Sequence, residues 1–171
     1  RRQRQMCIRD SYKTAAYTVE RPLHLGAALA GADETTIAAL RGYGRDIGIA
    51  FQLRDDLLGV FGDPEVTGKP AGDDLREGKR TVLYALALQA ADASDPAAAE
   101  KLRAGIGTAT APDDIAELAR IIESTGAVDV TEERITRLTE SGLKHLENAH
   151  ITDDAVETLT SLAIKSTARR K

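Results

Sequence analysis

A nearly unbroken apolar run from Ile47 to Phe61 is interrupted by an amide and two adjacent acids, in the order Gln52-Leu-Arg-Asp55-Asp56-Leu-Leu-Gly59. At about 100° per residue on a 3.6-residue helix, Gln52, Asp55, Asp56 and position 59 share one face. Arg41, Arg45, Gly48 and Asp63 extend the same stripe, whereas Arg54 points the other way. Ile47, Ile49, Ala50, Phe51, Leu53, Leu57, Leu58, Val60 and Phe61 cover nearly all the remaining circumference, so the spacing predicts a helix buried on most sides. An unpaired buried carboxylate costs on the order of several kcal/mol. The stripe therefore requires a wet cavity, a partner cation or a metal ion. A hard divalent cation suits it best, because magnesium takes oxygen ligands and often bridges one or two carboxylates to a substrate's phosphates. Phosphate chemistry is the resulting expectation. A solvated helix face, the ordinary reading of an Asp-Asp pair, does not suit these apolar flanks.

The 171 residues suit about one domain, and 42% hydrophobic content allows a sizeable core. Only 4% of the residues are aromatic and none is tryptophan, so packing falls to Ala, Leu, Ile and Val. Close-packed helices use such side chains better than a sheet sandwich does, and an all-α fold is expected. A formal net charge of -4 without a basic face gives no electrostatic footprint for nucleic acid. Cys7 is the single cysteine and cannot form an internal disulfide; no apolar run has the length of a membrane span or the shape of a signal peptide. A cytoplasmic, soluble chain is expected.

Residues 1–11 carry four arginines, lack an amphipathic period and begin without methionine, and they are set apart as a suspected non-native leader, a basic disordered arm being the alternative. A helix is expected from Tyr12 to Ala30, bent at Pro22 and ended by Gly31, with Asp33 opening the next, which runs to about Gly62. Residues 62–79 hold four glycines and two prolines in 18 positions and read as a loop. So long a structureless segment is usually functional or disordered, and this one carries Lys69, Asp73, Asp74, Arg76 and Lys79. Helices are expected again over Thr81–Ala91, after Ser94 or Asp95 with Pro96 in the first turn, and over Asp113–Ser124. Val128, Ile135, Leu138 and Leu146 form one helical stripe; Thr152 is the expected N-cap of a last helix carrying Val156, Leu159, Leu162 and Ala163. No repeat, low-complexity tract or interdomain linker interrupts the series. His24, His145 and His150 lack metal-ligand spacing and are expected in surface or core roles, and the basic tail from Ala168 to Lys171 is expected to be solvated.

Three separated pieces have complementary character: Lys13-Thr14 with Tyr17 one turn later, the acid helix at 52–56, and the loop lysines Lys69 and Lys79. Together they could bind a diphosphate, the carboxylates holding magnesium against phosphate oxygens and the lysines neutralising the remaining charge. The segments KTAAY at 13–17, FQLRDD at 51–56 and GDPEVTGKPAGDDLREGKRT at 62–81, in this order and spacing, resemble trans-polyprenyl diphosphate synthases of the farnesyl and geranylgeranyl type. The resemblance runs from about Tyr12 to the C-terminus.

It implies an all-α bundle in which two aspartate-rich motifs hold magnesium against an allylic diphosphate, with Asp55 and Asp56 as metal ligands of the second motif. It further implies that Lys13 and Lys69 contact the allylic diphosphate, that Thr14 and Gln52 sit beside the reacting carbons, and that Lys79 supports the diphosphate region. Tyr17 is a candidate to line the pocket, helical packing being the alternative. The implied substrates are an allylic diphosphate and isopentenyl diphosphate, and the implied parent is a homodimer. Two departures stand out. A third aspartate of the usual second motif is replaced by Gly59, so its role must pass to water, pass to Asp63, or be lost. No residue before Tyr12 supplies a first aspartate-rich motif, so residues 12–171 are expected to be the C-terminal portion of a synthase, inactive alone. A catalytically silent helical partner subunit is the alternative.

Overall fold

The computed structural model describes residues 19–68 and 70–168, and among these the regular structure is helical. In chain order the helices are α1 (Arg21–Leu29), α2 (Glu34–Phe61), α3 (Pro64–Thr67), α4 (Asp73–Arg76), α5 (Val82–Ser94), α6 (Pro96–Gly105), α7 (Pro112–Ser124), α8 (Ala127–Leu146) and α9 (Asp153–Thr167). The helices follow the predicted boundaries closely because most ends are written locally. Asp33 accepts from the amide of Thr36 at 2.7 Å, Thr81 from Tyr84 at 3.2 Å, Asp95 from Ala98 at 3.1 Å, and Thr152 from Ala155 at 3.3 Å. Each side chain satisfies an amide that has no partner within its own helix.

Pro22 lies in the first turn of α1 directly after a π turn at Val19–Glu20, a position where its missing N–H is tolerated; the upstream part of the expected Tyr12–Ala30 helix lies outside the described residues. One local expectation changes. The glycine-rich segment after α2 contains two single helical turns rather than loop throughout: Asp63 caps α3 through the Glu65 amide at 2.9 Å, Gly68 ends it at φ 70°, and Gly72 opens α4 at φ 71°. A left-handed conformation costs glycine little.

The chain divides into two compact units. One comprises residues 19–54 and 133–168 of the described chain. Its core joins Ala27, Leu40, Tyr43, Ile47, Leu146 and Ala163, with Leu143 and Leu159 partly buried against them. Helices α2 and α8 meet closely here: a Cβ on Gly142 would fall 2.7 Å from the Cδ1 of Ile47, and one on Gly42 would fall 2.7 Å from the His145 ring. His145 Nε2 lies 3.4 Å from Asp46 Oδ2, an oxygen that also accepts from the Ser141 hydroxyl at 2.7 Å. Arg54 is buried and donates through Nε to the carbonyl of Thr167 at 2.7 Å, placing a cation at the C-terminal end of α9, where the helix dipole favours it. Leu162, expected to pack, is 56% exposed instead; Ala163 takes the buried position of that turn.

The other unit spans Asp55–Glu132. Helices α5, α6 and α7 pack pairwise, and α4 rests on α7. Leu83, Ala87, Ala91, Ala99, Leu102 and Ile122 are almost fully buried, a core of small and aliphatic side chains as the composition requires. Gly78 and Gly107 face each other so tightly that a Cβ on either would lie 3.0 Å from the other's Cα, and the Gly107 amide donates to the Leu75 carbonyl at 2.8 Å. The end of the glycine-rich segment is thereby stitched to the C-terminus of α6.

Two predictions follow from the 19–54 and 133–168 unit. The Tyr43 hydroxyl donates to the Leu159 carbonyl at 2.7 Å, and burial pushes its phenol up to about 12; Tyr43→Phe should cost about 1 kcal/mol in denaturant unfolding. Asp33 is held down to about 2, mainly by its hydrogen bond with His150 at 2.6 Å and next by the Thr36 amide. A carboxylate depressed by folding adds stability that is complete above its unfolded value near ~3.9 and is lost as pH falls through its folded value. The difference in urea midpoint between the wild type and Asp33→Asn should therefore be largest near about pH 6 and shrink toward about pH 2.

Candidate active site

The acid pair lies where α2 enters the Asp55–Glu132 unit. Asp55 is half-buried and Asp56 only 4% exposed, so neither belongs to a solvated face. The Oδ2 of Asp56 accepts from the amide of Val82 at 3.2 Å. Val82 is the first residue of α5, and its amide is one of the donors a helix N-terminus leaves without an internal partner. A buried negative charge there meets the positive end of the helix dipole, which favours it.

One turn beyond Asp55 and Asp56, a Cβ built on Gly59 would fall 2.1 Å from Asp74 Oδ2 and 2.3 Å from its carboxyl carbon. The Asp74 carboxylate occupies the volume of the missing side chain. Its Oδ1 binds the ammonium of Lys79 at 2.6 Å, and Glu77 binds the same ammonium at 2.8 Å. The Lys79 amide in turn donates to the Asp74 carbonyl at 2.9 Å. These two carboxylates hold the ammonium protonated well above the usual lysine range, Asp74 being the larger influence. Lys79, expected to support a diphosphate, is thus anchored against the acid helix by a carboxylate that sequence reading did not single out for that purpose. The available signal was Gly59 itself, a vacancy in an otherwise filled helix face. Asp63, one candidate for the third acid's role, caps α3 through one carboxylate oxygen and is exposed.

Of the other expected site residues, Gln52 is half-buried on α2 within the 19–54 and 133–168 unit. Lys13, Thr14, Tyr17 and Lys69 lie outside the described residues. Among the described residues no three His, Cys, Asp or Glu side chains come together as a ready-made metal cage. The donor set nonetheless suits magnesium, which is usually held by one or two carboxylates and completed by water and substrate phosphates. An open apolar groove of about 810 Å³ lies in the same unit, lined by Val60, Phe61, Pro64, Pro70, Ile115 and Ala119 among others, but none of Asp55, Asp56 and Lys79 lines it.

The polyprenyl synthetase family model matches residues 6–125. The chain belongs to that family. Geranylfarnesyl diphosphate synthase of Aeropyrum pernix is 41% identical over 122 residues, which are 71% of this chain and 36% of that enzyme. Heptaprenyl diphosphate synthase component 2 of Geobacillus stearothermophilus is 35% identical over 127 residues, 73% of this chain and 36% of that protein. Among solved structures, geranylgeranyl pyrophosphate synthase of Corynebacterium glutamicum, complexed with isoprenyl diphosphate and magnesium, superposes with a TM-score of 0.90 at 63% identity, covering 92% of this chain and 44% of that one. The chain thus spans less than half the length of these relatives. The all-α fold of the prenyl synthases extends to it, and among the described residues no helix is long and apolar enough to cross a membrane.

Replacing Gly59 tests the Asp74 seat. In Gly59→Ala the new methyl must evict the Asp74 carboxylate and with it the Lys79 pair. The gain in helix propensity, up to ~1 kcal/mol, and the loss of a partly exposed ion pair, ~0.2–1 kcal/mol, nearly cancel. Unfolding should therefore shift little, while the Lys79 ammonium, followed by NMR, should titrate closer to an ordinary lysine. An unaltered Lys79 titration would show that Asp74 does not sit on Gly59.

Proposed function

We propose that the protein from which this chain comes is a prenyltransferase that condenses an allylic diphosphate with isopentenyl diphosphate. The observation that carries this reading is the acidic face of α2, buried yet compensated, with Asp74 and Lys79 seated one turn beyond the acid pair in a chain of the polyprenyl synthetase family. Asp55 and Asp56 supply the carboxylate face toward magnesium, and Lys79 the positive charge beside it. Magnesium, when bound, withdraws charge from the departing diphosphate.

The reaction breaks the allylic carbon–oxygen bond, and the electron pair leaves with the diphosphate. The double bond of isopentenyl diphosphate attacks the allylic carbon to form a carbon–carbon bond. A proton is then lost from the condensed product to the departing diphosphate, restoring a double bond. Lys13, Lys69 and Lys79 neutralise charge as it develops on the leaving group, where a preorganised cation contributes most. We assign Thr14 and Gln52 the role of stabilising the cation and Tyr17 that of a pocket residue, while the apolar flanks of α2 exclude water that would quench the cation. The parent acts in the cytoplasm as a homodimer. The 171 residues alone contain no first aspartate-rich motif, and we expect them to bind magnesium and diphosphate weakly without turnover: losing one set of metal ligands costs several kcal/mol of transition-state stabilisation, on the order of thousands-fold in rate.

A second reading, a catalytically silent helical partner of an active synthase, draws on Gly59 in the acidic motif and on the likeness to a protein named as one component of a heptaprenyl diphosphate synthase. Calorimetry of pyrophosphate with magnesium tests the first reading. The Asp55→Asn, Asp56→Asn double variant, with its helicity intact, should lose at least about tenfold in affinity, equivalent to ~1.4 kcal/mol; undiminished binding would refute the proposal. Joining the chain to the upstream half of a family synthase should yield chain elongation if the enzyme reading holds, and none if the chain is a silent partner.

A further inference from the structure

What faces the missing side chain of a helical glycine decides how firmly the neighbouring element is held there. At Gly42, Gly59, Gly72, Gly105 and Gly142 an added Cβ would meet another side chain, which can turn to a different rotamer. At Gly44 of α2 it would meet backbone instead, 2.7 Å from the Glu20 Cα and 3.2 Å from the Glu20 nitrogen. Backbone at the start of a helix has no such freedom. We propose that Gly44 is a positioning residue of the diphosphate site: by admitting the Glu20 backbone against α2, it fixes the point from which the segment carrying Lys13 and Thr14 is held. This rests on the synthase reading for the role of Lys13 and for the identity of the ligand.

Several observations bear on this one contact. Glu20 is itself helical, at φ -62° and ψ -51°, and offers α1 no side-chain cap, so the start of α1 is placed by its seat on Gly44 rather than by a local stop signal. Val19 and Glu20 form a π turn leading into α1, a device found frequently at functional sites. Arg41, one turn before Gly44, reaches Glu20 Oε1 through its Nε at 3.8 Å, so an ion pair holds the residue that the glycine admits. Gly44 also borders the polar stripe of α2. At about 100° per residue it lies within roughly 100° of Arg41, Gly48 and Gln52 around the helix, and Gln52 is about 12 Å farther along. Lys13 precedes Glu20 by seven residues, so chain connectivity keeps its Cα within about 25 Å of the seat. A methyl on Gly44 must push the Glu20 backbone away and move the origin of that segment, and a misplacement of about 1 Å is already costly to a site that works by position.

Calorimetry of pyrophosphate with magnesium on the 171-residue chain tests this through a double-mutant cycle. Gly44→Ala should lower affinity about tenfold and Lys13→Ala by a similar factor, while the two together should cost no more than about threefold beyond either alone, because both act on one contact. Gly142→Ala, which crowds only the end of the Ile47 side chain in the same unit, should leave affinity within about twofold however far it shifts unfolding. Losses that multiply, an unchanged affinity in Gly44→Ala, or an equal loss in Gly142→Ala would each overturn the proposal while the synthase reading stands. A wild type that does not bind pyrophosphate with magnesium would sink the synthase reading, and this inference with it. Should Gly44→Ala not fold, Arg41→Glu takes its place in the cycle. A like charge then faces Glu20 at an exposed position, loosening the seat without crowding it. Its effect on affinity should vanish in the Lys13→Ala background; a loss that persists there would be a general charge effect and would overturn the proposal.

Discussion

The contact between the Asp56 carboxylate and the first amide of α5 is the constraint around which the Asp55–Glu132 unit is built. A charge so enclosed persists only where a donor and a favourable field await it, and a helix N-terminus supplies both. To bring that terminus onto α2, residues 62–81 must double back. Left-handed glycines at 68, 72 and 78 and single turns at α3 and α4 make the reversal possible within a short stretch. The same reversal delivers Asp74 to Gly59 and Lys79 to Asp74. Polar residues of the loop are thus placed by the helical scaffold, the Asp74 carboxylate on Gly59 and the Lys79 ammonium on that carboxylate.

Small side chains set how closely the helices approach. In the unit formed by residues 19–54 and 133–168, Gly42 and Gly142 leave no space for a methyl between α2 and α8. In the Asp55–Glu132 unit, Ala87, Ala91 and Ala99 fill interior positions with minimal volume. With so few aromatic residues, close backbone approach replaces bulky side chains as the source of packing contacts, which in a dense interior are individually weak and numerous.

Much of this was legible beforehand. Asp33, Thr81, Asp95 and Thr152 announce helix starts because a cap is a contact between residues two or three apart. The burial of α2 was legible from its apolar circumference. Two features were not. Asp74 looked like a polar loop residue, and its place on Gly59 is a contact across 15 positions of chain. Leu162 fits an apolar period as well as Ala163 does, yet it faces outward, because a helix-wide stripe does not specify which of two neighbours a partner helix will cover.

The amino-acid order by itself determined the longer helices, most of their ends and the existence of an acidic face that demands compensation, since each arises from propensity, capping or periodicity within a few turns. Tertiary structure alone decided the partners around it: a backbone amide for Asp56, and for Lys79 a carboxylate seated in the space left at Gly59. Those partners are chosen by where the chain returns in space, and that return is a property of packed elements rather than of any local run of residues.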